Sequence, residues 1–552
     1  MPSGFEAQPD GWGFRAVRPA GACAGATRAV IGQRDCVPLD DCGASFPPAG
    51  ASIVVSTAPP GAYGAVPVVA TLEEAMARAE PSATIAIDRG TYDGVTASRD
   101  VKVVGRCAAE TIVSGRAPSA FSARGGTLDV RSLTIQGFGY GIRASGGATH
   151  VSNVLFRDNT IAASASGAVT LTIEASAVEH PGPMPKSPSQ AFESLSRDVN
   201  LVVVGCDVRD VAMPLFAGKG SSIEVRRTLM QNDDETPSSL FILAAYDATI
   251  TIEESVMKTR ARAIAMVGNA KYTSTSEGKS DSSQVKIRAS ALEQSGGDSN
   301  QFLLAVQGGA TLEVEGSTIR HRSNAAFNAW EAGSRLVVKD VTAVAEAPKS
   351  TQNETGVFDE GASADIDGLA AIGGTSGISV MNANTKLALK RSLVARPNTP
   401  GSTLSYGVLA AREAELQVDA STLTDCADAA LELDSEAHAE IRRTLVRGTK
   451  RTSRAPGSAV LAMGEAQIAV SECLLESNEG AGVDVWQAGG VVATTRIVRN
   501  TIGVSYGESN LLQGKDAVTG RGPRDLVLVD DAIDDNESAI VQSTTWSVNV
   551  SK

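Results

Sequence analysis

Internal repetition constrains this chain more than any other feature. A phrase of eight residues has apolar residues at positions 1, 3 and 8, and Ser, Thr or Cys at position 6. It reads LTIEASAV from Leu171, LVVVGCDV from Leu201, IEVRRTLM from Ile223, ITIEESVM from Ile250 and VKIRASAL from Val285. It continues as LEVEGSTI from Leu312, LALKRSLV from Leu387, LQVDASTL from Leu416, AEIRRTLV from Ala439 and IAVSECLL from Ile468. Looser copies start at Leu128, Thr149, Leu336, Ala364 and Val491. The 363 residues from Leu128 to Val491 make 14 steps of about 26 residues, inside the range of solenoids.

Each repeat joins a period-2 strand pattern, a short polar turn and a second apolar stretch such as GVLAA, AVLAM or GVDVW. Neither stretch has the length or 3.6 spacing of a helix. A strand-only repeat of this size is one rung of a parallel β-helix. Position 6 then stacks on its counterparts inside the coil, and Asn159, Asn478 and Asn500 form a similar ladder at the next turn.

Position 4 supports that register. In nine consecutive repeats it reads Arg226, Glu253, Arg288, Glu315, Lys339, Asp367, Lys390, Asp419 and Arg442, alternating in sign at every step in a chain only 20% charged. Rungs about 4.8 Å apart put each charge beside two opposite ones. This reads as a solvated salt-bridge ladder rather than an ion-binding stripe, since neutralised charge attracts no ion. From Leu312 the steps run 24, 28, 23, 29, 23, 29 and 23 residues, so a longer loop is expected on every second rung.

Composition excludes several classes of function. The net charge of −14 argues against a partner that is a nucleic acid or an anionic membrane surface, both of which need a cationic field. No apolar run reaches the roughly 18 residues of a membrane span. No G-x-S-x-G, H-E-x-x-H or phosphate loop is present.

Near the start, TLEEAMARA (71–79) is a short amphipathic helix with Thr71 and Glu74 placed for a capping box. With ATIAIDRGTYDGV (83–95) behind it, this stretch resembles the beginning of the pectin-lyase-like, right-handed parallel β-helix proteins. There a short helix precedes the first coil and a G-T-Y turn. The resemblance covers about residues 67–545 and implies an all-β fold: a single right-handed parallel β-helix of about 15–17 rungs. The domain reading is a Cys-containing irregular segment at 1–66, the β-helix at 67–545 with capping helix 71–79, and a tail at 546–552.

Cys23, Cys36, Cys42 and Cys107 crowd the irregular N-terminal region, and one or two disulfides among them are expected, their pairing open. Cys206 and Cys473 sit at position 6 and read as buried thiols. No zinc or other metal site is expected, the four His being far from these cysteines in sequence. The Cys-bearing start also resembles that of exported bacterial β-helix proteins, which implies an extracytoplasmic protein, secreted or on a bacterial surface. No signal sequence is visible in MPSGFEAQPDG.

The resemblance leaves activity open, because the fold hosts lyases, hydrolases, epimerases and inert scaffolds. The N-T-D, G-H-G and R-I-K stretches of its polygalacturonases are missing. Asp233, Asp234 and Glu235 are the weak catalytic candidates, and only as a lyase would the chain need Ca²⁺; otherwise no cofactor is expected. In this family the groove lies outside one strand row, read here as the GVLAA-type stretches. Taking the first apolar residue as inward, the outward set is Leu304, Val306, Asn328, Trp330, Phe358, Met381, Leu409, Leu461, Met463, Asp484 and Trp486. Of these, Leu304, Trp330, Phe358, Met381, Leu409, Met463 and Trp486 form a mostly apolar binding wall for a protein partner, a second copy or a polysaccharide. Trp330 and Trp486 are alternative sugar platforms. The leading expectation is therefore a non-catalytic exported scaffold or binding protein; the alternative is a polysaccharide lyase or glycoside hydrolase. Ser/Pro-rich stretches 180–198 and 270–284 read as surface loops.

Overall fold

Position 5 of the repeated phrase is left-handed in every full copy: Ala175, Arg227, Glu254, Ala289, Arg391, Ala420, Arg443 and Glu472 have φ of 46–55°, and Gly205 and Gly316 fill the other two. One left-handed residue turns an extended chain through a corner without a long loop. The phrase therefore folds as a strand, a corner and a shorter strand, as in Val169–Glu174 followed by Ala177–Glu179. The second apolar stretch adds a third strand, and a turn returns the chain to the next rung. The result is a right-handed parallel β-helix with three strand rows.

A computed structural model describes residues 1–97, 100–115, 117–180, 189–232, 241–260, 263–268, 281–295, 302–346, 354–395, 406–452, 455–508, 510–513 and 524–542. It divides into two units. Unit 1 comprises Met1–Asn269 and Asp281–Ser295, and unit 2 comprises Ala270–Ser280 and Gly296–Lys552. In unit 1, row 1 runs from Ala83–Ile87 to Gln284–Arg288, row 2 from Gly90–Tyr92 to Ala291–Gln294, and row 3 from Val95–Ala97 to Ala265–Val267. In unit 2 the rows begin at Thr311–Glu315, Thr318–His321 and Phe302–Val306, and end at Asp525–Val529, Ala532–Asp534 and Ser538–Gln542. Among the described residues, rows 1, 2 and 3 hold 11, 9 and 8 strands in unit 1 and 10, 9 and 10 in unit 2.

The charge column is in register. Arg226 pairs with Glu253 and Glu253 with Arg288; in unit 2 the order is Glu315, Lys339, Asp367, Lys390, Asp419, Arg442. The tightest contacts to its acids come from the corner residue of the next rung. Arg391 makes two bonds to Asp367, at 2.6 and 2.7 Å, and Arg443 likewise clasps Asp419.

Position 6 carries a polar ladder through the coil. Each hydroxyl donates to the carbonyl two residues back and accepts an N–H from the preceding rung. Ser255 Oγ, for example, donates to Glu253 O at 2.8 Å and accepts from Thr228 N at 3.1 Å; Ser421 and Ser392 repeat the pattern. Corner N–H groups that cannot join a strand ladder are thereby satisfied. Cys206 and Cys473 are buried free thiols at this position. The asparagine ladder also forms: Asn478 Nδ2 donates to Asn500 Oδ1 at 2.8 Å, and Asn536 extends it by accepting Asn500 N at 2.8 Å.

The helix Leu72–Arg78 buries Leu72, Ala75 and Met76. Its capping box is half made. Thr71 Oγ1 accepts Glu74 N–H at 3.1 Å, but the Glu74 carboxylate bonds Arg78 instead. Both disulfides exist, as Cys23–Cys36 and Cys42–Cys107.

The N-terminal segment runs along the outside of row 2. Phe5, Ala16, Cys23, Ala29 and Ile31 pack on Leu229, Val256 and Ala291, while Leu39 packs with Ala108, Leu155 and Ala177. Arg28 donates to Gly205 O at 2.7 Å, and Arg18 meets Glu293 at 3.7 Å. The segment is a strap that gives an apolar strand face its cover.

Alternate long turns also appear. Between rows 2 and 3 of unit 2 the connections are 346–353, 374–377, 396–405, 425–428, 448–457 and 477–480. One expected loop is partly rung: 180–198 contains the row-3 strand Gln190–Ser194, whose Phe192 is fully buried. Of the other, 270–280 lies outside the described residues, and Gln284 already opens a row-1 strand.

Candidate functional site

Row 3 of unit 2 opens with two successive buried residues before alternation begins, as in Leu303–Leu304, Ala326–Phe327, Ala430–Leu431 and Ala459–Val460. Small residues at the first of these places let the chain round a tight corner. A Cβ added to Gly407 would lie 2.5 Å from Ala430 O and 2.9 Å from Cys426 Sγ. After this corner, inward residues alternate with two outward columns. The first column reads Ala305, Asn328, Val357, Ser379, Leu409, Glu432, Leu461, Asp484 and Ser505. The second, two residues on, includes Trp330, Met381, Asp434, Met463 and Trp486.

The expected binding wall is accordingly redrawn. Trp330, Met381, Leu409, Met463 and Trp486 do face outward and are half-buried. Leu304 and Phe358 do not: both are fully buried in inward columns, as is Val306. At Leu304 the parity failed because Leu303, the corner residue, is itself apolar and was counted as the first inward position. At Phe358 it failed because the inward place before it is held by Gly356, paired with Phe327. Asp233, Asp234 and Glu235 lie outside the described residues.

Carboxyl groups lie among these apolar side chains: Asp484, in the outward set read from the sequence, and Glu354 and Glu432, which that set lacks. Glu354 Oε1 accepts the hydroxyl of buried Tyr406 at 3.2 Å, and its Oε2 accepts Ser379 Oγ at 3.1 Å. Burial, with Glu354 alongside, raises the Tyr406 phenol far above its ordinary value. Glu432 sits between Leu409 and Leu461; burial first, then the charges of Asp428 and Asp434, push it up to about 7. Asp484 is raised by burial, against the opposing hydrogen bonds of Ser505 and Ser458, the latter at 3.5 Å. The signal was legible in AALELD and AGVDVW, where an acid occupies an outward slot of an apolar stretch.

The two outward columns contain no Arg or Lys at the positions named. The face thus combines indole rings, thioethers, leucines and partly desolvated carboxyl groups, a surface suited to hydroxyl-rich, uncharged ligands. A tetrahedral metal needs converging donors. Among the described residues the converging His, Cys, Asp and Glu set is Asp40, Cys42 and Cys107, two of which are spent in a disulfide.

Comparison with known proteins agrees on architecture. Residues 349–502 match the profile of a family described as a right handed beta helix region. No curated protein matches the chain. Among solved structures, a PL6 alginate lyase in complex with a trisaccharide is 8% identical, covering 72% of this chain and 81% of its own, with a TM-score of 0.26. The catalytic domain of a GH87 alpha-1,3-glucanase is 11% identical, covering 92% and 70%, at TM-score 0.21. The A-module of the Azotobacter vinelandii mannuronan C-5 epimerase AlgE6 is 10% identical, covering 84% and 91%, at 0.14. The parallel β-helix itself rests on the strand register and on the matched profile. No helix among the described residues is long and apolar enough to cross a membrane.

Proposed function

We propose that this protein is a non-catalytic, extracytoplasmic binding protein that takes a neutral glycan along the outer face of row 3 in unit 2. The observation that carries the reading is the alternation of acids with apolar and indole side chains in columns without Arg or Lys. Sugar rings stack on apolar and aromatic surfaces, and carboxyl groups hydrogen-bond their hydroxyls. An acidic glycan would meet like charge. Two disulfides support an oxidising compartment.

Binding is favoured over catalysis by the pattern of acidities. A hydrolytic pair needs one carboxyl raised and its partner kept ionised. Glu432 and Asp484 are both raised, by the same cause. Hydrolysis is the second reading, favoured by Glu432 titrating near 7, where a general acid is useful.

Affinity electrophoresis through gels containing neutral or uronic polysaccharides tests the proposal, with reducing-end release measured in parallel. Retardation by a neutral glycan without release is expected. Retardation by uronic glycans alone, or by none, overturns the binding reading; release of reducing ends abolished in Glu432→Gln establishes the second.

A further inference from the structure

Unit 1 carries a second polar window on the outside of row 3. Four neighbouring strands are involved: Ser119–Ala123, Tyr140–Ala144, Ile161–Ala165 and Gln190–Ser194. Their register sets Ser122, Arg143, Ser164 and Glu193 in one column, and Ser119, Tyr140, Ile161 and Gln190 in another three residues upstream. Met213 and Phe216 continue the two columns on the next strand. Apolar side chains therefore border the window on one side.

Charge in this window is separated rather than paired. Arg143 is exposed, lies over the Tyr140 ring at 5.3 Å, and has no acid within ion-pair distance among the described residues. Glu193, two rungs on, is 6% exposed. It accepts Ser164 Oγ at 2.5 Å and is raised by burial, with Arg143 pulling the other way from a distance. The two Cα atoms are about 10 Å apart by rung spacing. Gln190 Oε1 is buried and accepts no hydrogen bond, while its amide nitrogen lies 4.0 Å from Met213 Sδ. An unpaired guanidinium and a carboxyl group with no cation at ion-pair distance among the described residues thus stand two rungs apart in one column.

We propose that this window binds a small zwitterion of the amino-acid type. Its carboxylate sits on the Arg143 guanidinium, flanked by Ser122 and Ser164. Its ammonium donates to Glu193, and its side chain lies toward Ile161, Met213 and Phe216. A guanidinium fork takes a carboxylate through two parallel bonds. A ligand carrying both charges at once matches the separation better than either charge alone. Neutral sugars have no group for Arg143.

The test titrates the full-length protein with free amino acids in both chiral forms, first by thermal shift and then by calorimetry. Acetate and ethylamine serve as the isolated halves. We expect at least one amino acid with an apolar side chain to bind, with neither half binding at the same concentration. Arg143→Gln and Glu193→Gln should each weaken binding at least tenfold, while Arg143→Lys keeps part of it. Because Arg143 is exposed, its variants should retain the wild-type melting temperature, which separates loss of the site from loss of the fold. Absence of binding by every amino acid overturns the proposal. So does acetate binding as tightly as the amino acid, which would make this a simple anion site, or amino-acid binding that survives both charge-removing variants.

Discussion

The buried carboxylate of Asp207 accepts the backbone N–H of Ala29 at 2.7 Å, across 178 residues of sequence. Asp207 lies in row 2 and Ala29 in the strap, so this bond fastens the N-terminal segment to the coil. Arg209 meets the same carboxylate at 3.5 Å and Glu179 at 3.2 Å, both well buried. Asp207→Ala removes the acceptor of the Ala29 N–H and leaves Arg209 with Glu179 alone, and should lower stability by about 1–3 kcal/mol. Chemical denaturation measures this. A loss under about 1 kcal/mol would mean the strap is held by its other contacts and not by Asp207.

Glu432 predicts a pH dependence with a definite sign. The folded carboxyl keeps its proton to about 7, against 4.5 ordinarily. The raised value contributes stability that is complete below about 4.5 and lost as pH rises through 7, worth at most about 3 kcal/mol. Glu432→Gln should therefore stabilise the protein at pH 8 and leave it nearly unchanged at pH 4. Thermal melts at the two pH values decide it.

The position-6 ladder predicts a substitution order. Ser421→Ala leaves Ser392 N–H without its acceptor and should cost about 1–3 kcal/mol. Ser421→Thr should be nearly neutral, because Thr228 and Thr444 fill equivalent places. Equal melting temperatures for the two variants would remove the ladder as a source of stability.

The cysteines predict a labelling pattern. Burial pushes the Cys206 thiol up to about 12 and Cys473 to about 11, and Cys426 is buried too. An aromatic disulfide reagent should label none of the three in the folded protein and all three in denaturant. Removing the Cys42–Cys107 bond, which closes 65 residues, should cost about 4 kcal/mol. Fast labelling under native conditions would contradict the buried placement.

Asp367→Lys would set three cations in succession with Lys339 and Lys390 and release Arg391. A melting temperature that falls at low salt and recovers toward wild type at high salt is expected, since exposed charges are screened. A salt-independent loss would point to packing instead.

Much of this was legible in the sequence because a stacked coil repeats its constraints. The sign alternation from Arg226 to Arg442 and the small residue at position 6 are local rules that the register simply obeys. Row 3 was harder. Two buried residues in succession, such as Leu303 and Leu304, break period-2 counting, and a one-residue slip moves a side chain to the opposite face. The strap was invisible for another reason: Phe5 and Ala29 bear no periodic relation to Leu229 or Asp207, so only the folded coil shows what they cover. Asp484 in AGVDVW and Glu432 in AALELD were readable as acids in an outward slot, whereas Glu354 could be placed only once Gly356 had been assigned to the interior.

The strap has a consequence for synthesis. A ribosome delivers Phe5 nearly three hundred residues before Ala291, part of its packing site. Rungs can wind as they emerge, each on its predecessor, and Cys42 meets Cys107 early. The outermost end of the strap must wait, loose and apolar, until Leu229, Val256 and Ala291 exist. The strap is thus made before the face it covers and settles after it, and a chain interrupted before Ala291 would present both an unclad strand face and the ribbon meant to cover it.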